Sequence, residues 1–109
     1  MAHDEGLAQM LRDDLVDVIG ITERNMFGGL CFMLNGNMLC GVSPKGCMFR
    51  VGKPREDQAR AIAGAGPMTF TGRPMGGMID VSEEAFNDDT RRAKWLALAI
   101  RNAQSLPAK

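Results

Sequence analysis

The apolar positions of residues 4–19 recur at the helical period. Leu7, Ala8, Leu11, Leu15, Val18 and Ile19 share one arc, with Met10 at its edge, while Gln9, Arg12, Asp13 and Asp17 face away. The pattern predicts a helix over 4–19, with Asp4 and Glu5 favoured in its first turn and Gly20 as its stop. Asp14 sits at the edge of the apolar arc. It is read as a solvated edge position; a carboxylate buried against an arginine is the alternative.

The pattern then changes to a period of two. Residues 26–51, MFGGLCFMLNGNMLCGVSPKGCMFRV, read as short strands joined by tight turns, with Ile21 to Phe27 leading in. Gly28-Gly29 interrupts this run, which suggests a bulge, a bend or a close backbone approach. Asn35-Gly36 between two apolar runs implies a hairpin with a type I′ turn. A two-residue loop there pairs Leu34 with Asn37, Met33 with Met38, Phe32 with Leu39 and Cys31 with Cys40. One face of the hairpin then carries Leu30, Phe32, Leu34 and Leu39. The other carries Cys31, Met33, Met38, Cys40 and Val42. Both faces are apolar, so both need cover, from this chain or from a second one.

Ser43-Pro44-Lys45-Gly46 has turn chemistry, and Cys47 to Val51 is the next strand, with Arg50 its one charged member. Pro54 opens a short helix over 54–63, ended by Gly64-Ala65-Gly66-Pro67. Met68 to Phe70 and Met78 to Val81 read as strands, with a glycine-rich connection over 71–77 between them. Ser82 to Asp89 reads as an acidic turn. The last helix, 89–105, is capped by Asp88 or Asp89 and has a wide apolar arc of Trp95, Leu96, Leu98, Ala99, Ile100 and Ala103. Strands in runs, rather than alternating with helices, predict one α+β domain over 1–109. It has two layers, an antiparallel sheet with helices on one face, in the order α-β(3–4)-α-β(2)-α.

Composition narrows the function classes. Thirteen basic and thirteen acidic residues cancel, which argues against direct nucleic-acid binding. No apolar run reaches the ~20 residues that span a bilayer, and the start of the chain has no apolar signal segment. With three cysteines, an odd number, the expectation is a cytoplasmic, reduced protein. Nine methionines point to a core rich in gap-filling side chains, or else to an adaptable surface for a partner.

Catalytic chemistry finds no constellation. The one histidine, His3, lies in the N-terminal tail, away from any candidate nucleophile. Cys31, Cys40 and Cys47 lie on neighbouring strands without metal-ligand spacing, so neither metal nor cofactor is expected. The hairpin register makes Cys31 and Cys40 a candidate redox pair. Arg24, Arg50 and Arg73 are candidate anion ligands, with pairing to Asp80 or Glu23 as the alternative.

Taken together, several pieces resemble the N-terminal domain of the TfoX/Sxy family. They are Met26-Phe27-Gly28-Gly29, the Asn35-Gly36 hairpin followed by Met38, and Arg50-Val51-Gly52. Pro67, Phe70, Arg73-Pro74-Met75 with the glycines after it, and Trp95 complete the set. The resemblance covers nearly the whole chain, departs at Met78, where many relatives carry an aromatic, and does not extend to the family's helical C-terminal domain. It implies a fold similar to bacterial secretion chaperones and a role beside the transcription machinery, as in regulators of natural competence. It transfers no catalytic residue. The resulting expectation is a non-enzymatic cytoplasmic interaction or regulatory domain, forming a homodimer, with Met26, Phe27, Gly28, Gly29, Gly36, Arg50, Arg73, Pro74, Met75 and Trp95 as candidate interaction positions. The alternative is a small-ligand or anion-binding domain built on Arg50, Arg73 and the glycine-rich loops.

Overall fold

The computed structural model describes residues 5–26, 29–43, 46–70 and 73–107, with the backbone alone at Met26, 67–70 and 73–75. The expectations for His3, Asp4, Phe27, Gly28, Pro44 and Lys45 lie outside the described residues.

The elements are α1 (Glu5–Asp14), β1 (Ile21–Met26), β2 (Gly29–Leu34), β3 (Asn37–Ser43), β4 (Gly46–Arg50), α2 (Lys53–Arg60), β5 (Ala65–Phe70), β6 (Arg73–Val81), α3 (Glu83–Phe86) and α4 (Asp89–Gln104). The strands form one antiparallel sheet in the order β1-β2-β3-β4-β6-β5. The helices pack on one face: α4 against β2, β3 and β4, α2 against β5 and β6, α1 against β3, and α3 against β4. This is the two-layer α+β architecture expected from the sequence.

Several boundaries differ from expectation, and α2 ends at Arg60 instead of 63. α1 stops at Asp14 instead of Ile19, leaving Val16 77% and Ile19 93% exposed. Asp13, Asp14 and Asp17 oppose the negative end of the helix dipole, and β-branched Val16, Val18 and Ile19 are poor helix formers. The glycine-rich connection over 71–77 is mostly strand, since β6 begins at Arg73. β5 begins at Ala65, three residues before the expected start, and Pro67 lies inside it at the sheet edge, where a missing N–H is tolerated. The acidic turn after Ser82 holds the one-turn helix α3, whose first turn is capped by Ser82 Oγ accepting from Ala85 N–H at 3.2 Å.

The hairpin carries the main correction. Asn35 and Gly36 adopt φ of 52° and 84°, the two left-handed residues a type I′ turn requires. Leu34 pairs with Asn37 and Met33 with Met38, as expected; Phe32 then pairs with Cys40 and Cys31 with Gly41. Leu39 is the extra residue of a β-bulge. Beyond it Cys40 and Val42 turn onto the helix side, where they join Leu30, Phe32, Leu34, Leu39 and Phe49 in the main core. The same shift puts Gly41 on the other face. A Cβ there would lie 2.9 Å from Met48 Cε and 3.1 Å from Cys31 Sγ, so the bare Cα makes room for both. Gly29 is crowded as well: a Cβ would meet the Val42 carbonyl oxygen at 2.1 Å, the close backbone approach suggested by the glycine pair.

The second sheet face is buried too. Cys31, Met33, Met38, Met48 and Met78 cluster there, each no more than 8% exposed, and every one carries sulfur. These methionines fill the interior of a single chain.

At the centre of the helix layer sits Trp95, fully buried, its ring 5.9 Å from Phe49 and its Nε1–H donating to the Ala59 carbonyl at 3.0 Å. Asp88 caps α4 by accepting from the Thr90 and Arg91 amides, and the bond from Arg91 leads in lowering its carboxyl pKa. At the other end of the layer, buried Asn37 donates to the Pro107 carbonyl at 2.9 Å and ties the segment after α4 to β3.

Candidate functional site

The sequence-derived site residues do not converge on one place. Gly36 is at the hairpin tip and Trp95 in the core. Gly29 is wedged against β3. Arg24, exposed on edge strand β1, and Arg73, on β6, stand four strands apart, about 19 Å at the usual strand spacing. Arg50 lies across from Met78, and Arg73 is five residues further along that strand, about 17 Å away. The three arginines therefore occupy separate parts of the sheet. Met26, Pro74 and Met75 lie in strands β1 and β6.

The redox pair loses its geometric basis. The bulge places Cys31 on the second face, with Cys40 and Cys47 in the helix-side core. Burial pushes the Cys31 thiol up to about 11 and raises that of Cys40 well above its usual value. The thiolate is the reactive form, so Cys31 and Cys40 are expected to be inert near pH 8, and burial shields Cys47 from reagents as well. A chromogenic disulfide reagent should label none rapidly in the native protein and all three in denaturant. Fast labelling of any native thiol, or fewer than three after oxidation and unfolding, contradicts this arrangement.

Two polar features escaped the pattern reading. Arg92 is 5% exposed and donates to Asp14 at 2.6 Å, to Asp89 at 2.8 Å and to the Phe86 carbonyl at 2.9 Å, with its guanidinium 5.8 Å from the Phe86 ring centroid. Asp14 thus keeps the exposed edge position expected for it and is also paired with an arginine. Asn102 is 8% exposed and lies beside the start of α2. Both had a signal: positions 92 and 102 fall on the arc of Trp95, Leu98 and Ala99, where a polar side chain needs a reason.

The corner at α2 brings together what remains free. Gly52, at φ 86°, is the residue before the helix. A Cβ on it would lie 2.4 Å from Asn102 Oδ1 and 3.5 Å from Arg55 Nη1. Lys53 lies over Gly76, with its Cε 2.7 Å from the position of a Cβ there. Among the described residues, Lys53 and Arg55 have no acidic partner. A separate cleft of about 670 Å³ opens between Leu7, Gly46, Gly64, Asp80 and Glu83. Its Asp80 carboxyl is raised in pKa by partial desolvation, although the residue as a whole stays exposed. No group of three or more His, Cys, Asp or Glu able to hold a metal occurs among the described residues.

The family model of the TfoX N-terminal domain matches residues 13–103. The chain belongs to this family. The match spans every strand and α4 as far as Ala103, so the family's shared region includes the sheet and its central helix. Comparison with the curated proteins and with the solved structures gives no match. No helix among the described residues is long and apolar enough to cross a membrane.

Proposed function

We propose that this TfoX N-terminal domain is a non-enzymatic, cytoplasmic interaction and regulatory module that acts as a homodimer, with a protein of the transcription machinery as its further partner. One observation carries the reading. Val16 and Ile19, at 77% and 93% exposure, are the exposed large apolar side chains among the described residues. They stand in the connection that leads into β1, and β1 is an outer strand of the sheet formed by the described residues. Such an edge is a template for pairing with another chain. Its Glu23 is neutralised by Arg12 of the same chain, at 2.8 and 2.9 Å, which weakens the charge guarding the edge.

Size-exclusion chromatography with light scattering tests this. The expected result at ~100 µM is a dimer, because a specific apolar interface gives micromolar affinity or better. The double variant Val16→Asp, Ile19→Asp should be monomeric with an unchanged circular dichroism spectrum. A parent chain that is strictly monomeric, or a double variant that still dimerises, overturns the proposed interface.

A further inference from the structure

We propose that the corner formed by Gly52, the first turn of α2 and Asn102 binds the phosphate group of a small molecule. The inference is independent of the interaction reading, since this corner lies at the β4–α2 junction, away from β1.

Asn102 is the first ground. Its carboxamide is buried, and neither its Oδ1 nor its Nδ2 has a hydrogen-bond partner among the described residues. Buried amides are almost always bonded, so an unpartnered one calls for a group that is to be supplied. The carboxamide is directed at Gly52 rather than into the apolar core. Gly52 is partly exposed, so the corner where Asn102 meets it borders solvent.

Charge is the second ground. α2 begins at this point, and its dipole favours an anion there. The Lys53 N–H has no partner among the described residues, Pro54 has no N–H, and no side chain caps the helix. Arg55 Nη1 also lies beside Gly52, and Lys53, with its side chain over Gly76, adds positive charge to the same helix turn. The nearest acid is already engaged: Glu56 accepts from the Gly77 amide at 2.8 Å and pairs with Arg60 at 3.5 Å.

The donor set selects the ligand class. The Arg55 guanidinium and the Asn102 carboxamide both lie beside Gly52, and the Lys53 backbone N–H is the next group along the chain. That suits a tetrahedral oxyanion better than a planar carboxylate, which a single arginine fork would satisfy. The carboxamide can present Nδ2 in place of Oδ1 by a half-turn about its last torsion.

The test is a titration of the isotope-labelled full chain with inorganic phosphate and, separately, phenyl phosphate, against sodium chloride at matched ionic strength. Amide resonances of Gly52, Lys53 and Arg55 and the Asn102 side-chain NH₂ are followed by NMR. Saturable shifts at these positions with phosphate, and not with chloride, support the site. Tighter binding of phenyl phosphate points to a monoester ligand; equal binding points to the free ion. Arg55→Gln and Asn102→Ala should each weaken binding about tenfold, as expected for loss of one bond to a charged group. Arg101→Gln, on the exposed side of α4, should leave it unchanged. Each variant's melting curve is recorded without phosphate, so a folding defect is seen separately; if Asn102→Ala fails to fold, Arg55→Gln and Lys53→Gln carry the test. Shifts that fail to saturate, that chloride reproduces, or that survive Arg55→Gln overturn the proposal.

Discussion

Replacing Trp95 by alanine is expected to cost about 4 kcal/mol of folding stability, the range for a large aromatic removed from a closed core. The side chain is fully buried, between Phe49 and the Ala59 carbonyl that accepts its indole N–H. The substitution therefore leaves a cavity and an unpaired carbonyl at once. Small domains have about 5–15 kcal/mol in total, so this variant should lie near the edge of unfolding. Trp95→Phe keeps most of the packing and loses the hydrogen bond, for about 1–2 kcal/mol. Urea titrations followed by circular dichroism measure both, since Trp95 is the chain's one tryptophan and fluorescence is lost with it. A loss below about 2 kcal/mol for Trp95→Ala would mean that α4 does not close the core as described. Trp95 thus belongs to the family pattern as a packing residue.

Arg92→Ala is expected to be nearly as damaging, at about 3 kcal/mol, because it breaks a largely buried ion pair by removing one partner. The bond to Asp14 is the leading reason that the Arg92 pKa is raised, so the guanidinium is held charged within the fold. Its loss leaves Asp14, whose side chain is 29% exposed, without its cation, and orphans the Phe86 carbonyl. The three ligands come from α1, α3 and α4, so one side chain joins three helices. Asp14→Asn should cost much less, about 1 kcal/mol, since Arg92 keeps Asp89 and Phe86. Thermal melts should show a fall of roughly 12 °C for Arg92→Ala against roughly 4 °C for Asp14→Asn. Equal losses in the two variants would show that Arg92 acts only through Asp14.

The hairpin shows how far local patterning reaches. Asn35-Gly36 determines the turn, and the turn determines its first two pairs, Leu34 with Asn37 and Met33 with Met38. One residue later the register depends on what packs above and below the sheet. Without the bulge, Cys40 and Val42 would point away from the helices. With Leu39 inserted, they add to the core under α4, and the glycine faces the crowded sulfur cluster instead. The competing registers differ by one residue in a run of apolar side chains, so the linear pattern cannot rank them. The expected Cys31–Cys40 juxtaposition failed for this reason alone.

The helices show the complementary case. α4 was legible from its arc and its Asp88 cap, and the structure agrees to one residue at its C-terminal end. The arc's two polar members, Arg92 and Asn102, escaped that reading, although their place on an apolar arc carried a signal. Arg92 finds Asp14 from 78 positions away in the chain. Asn102 meets Gly52 across the space between α4 and α2. Such partners are set by how the layers pack, which no window of sequence contains.

The amino-acid sequence by itself determined the α+β class, the element order apart from α3, the type I′ turn and membership of the TfoX N-terminal family, because these rest on periodicity, turn chemistry and short motifs. Tertiary structure alone decided the bulge at Leu39, the separation of Cys31 from Cys40, the dispersal of Arg24, Arg50 and Arg73, and the corner at Gly52. The division has one physical cause. Local preferences are set by neighbours within a few residues, whereas register and site assembly are set by how well two packed layers exclude water, a property of the whole chain.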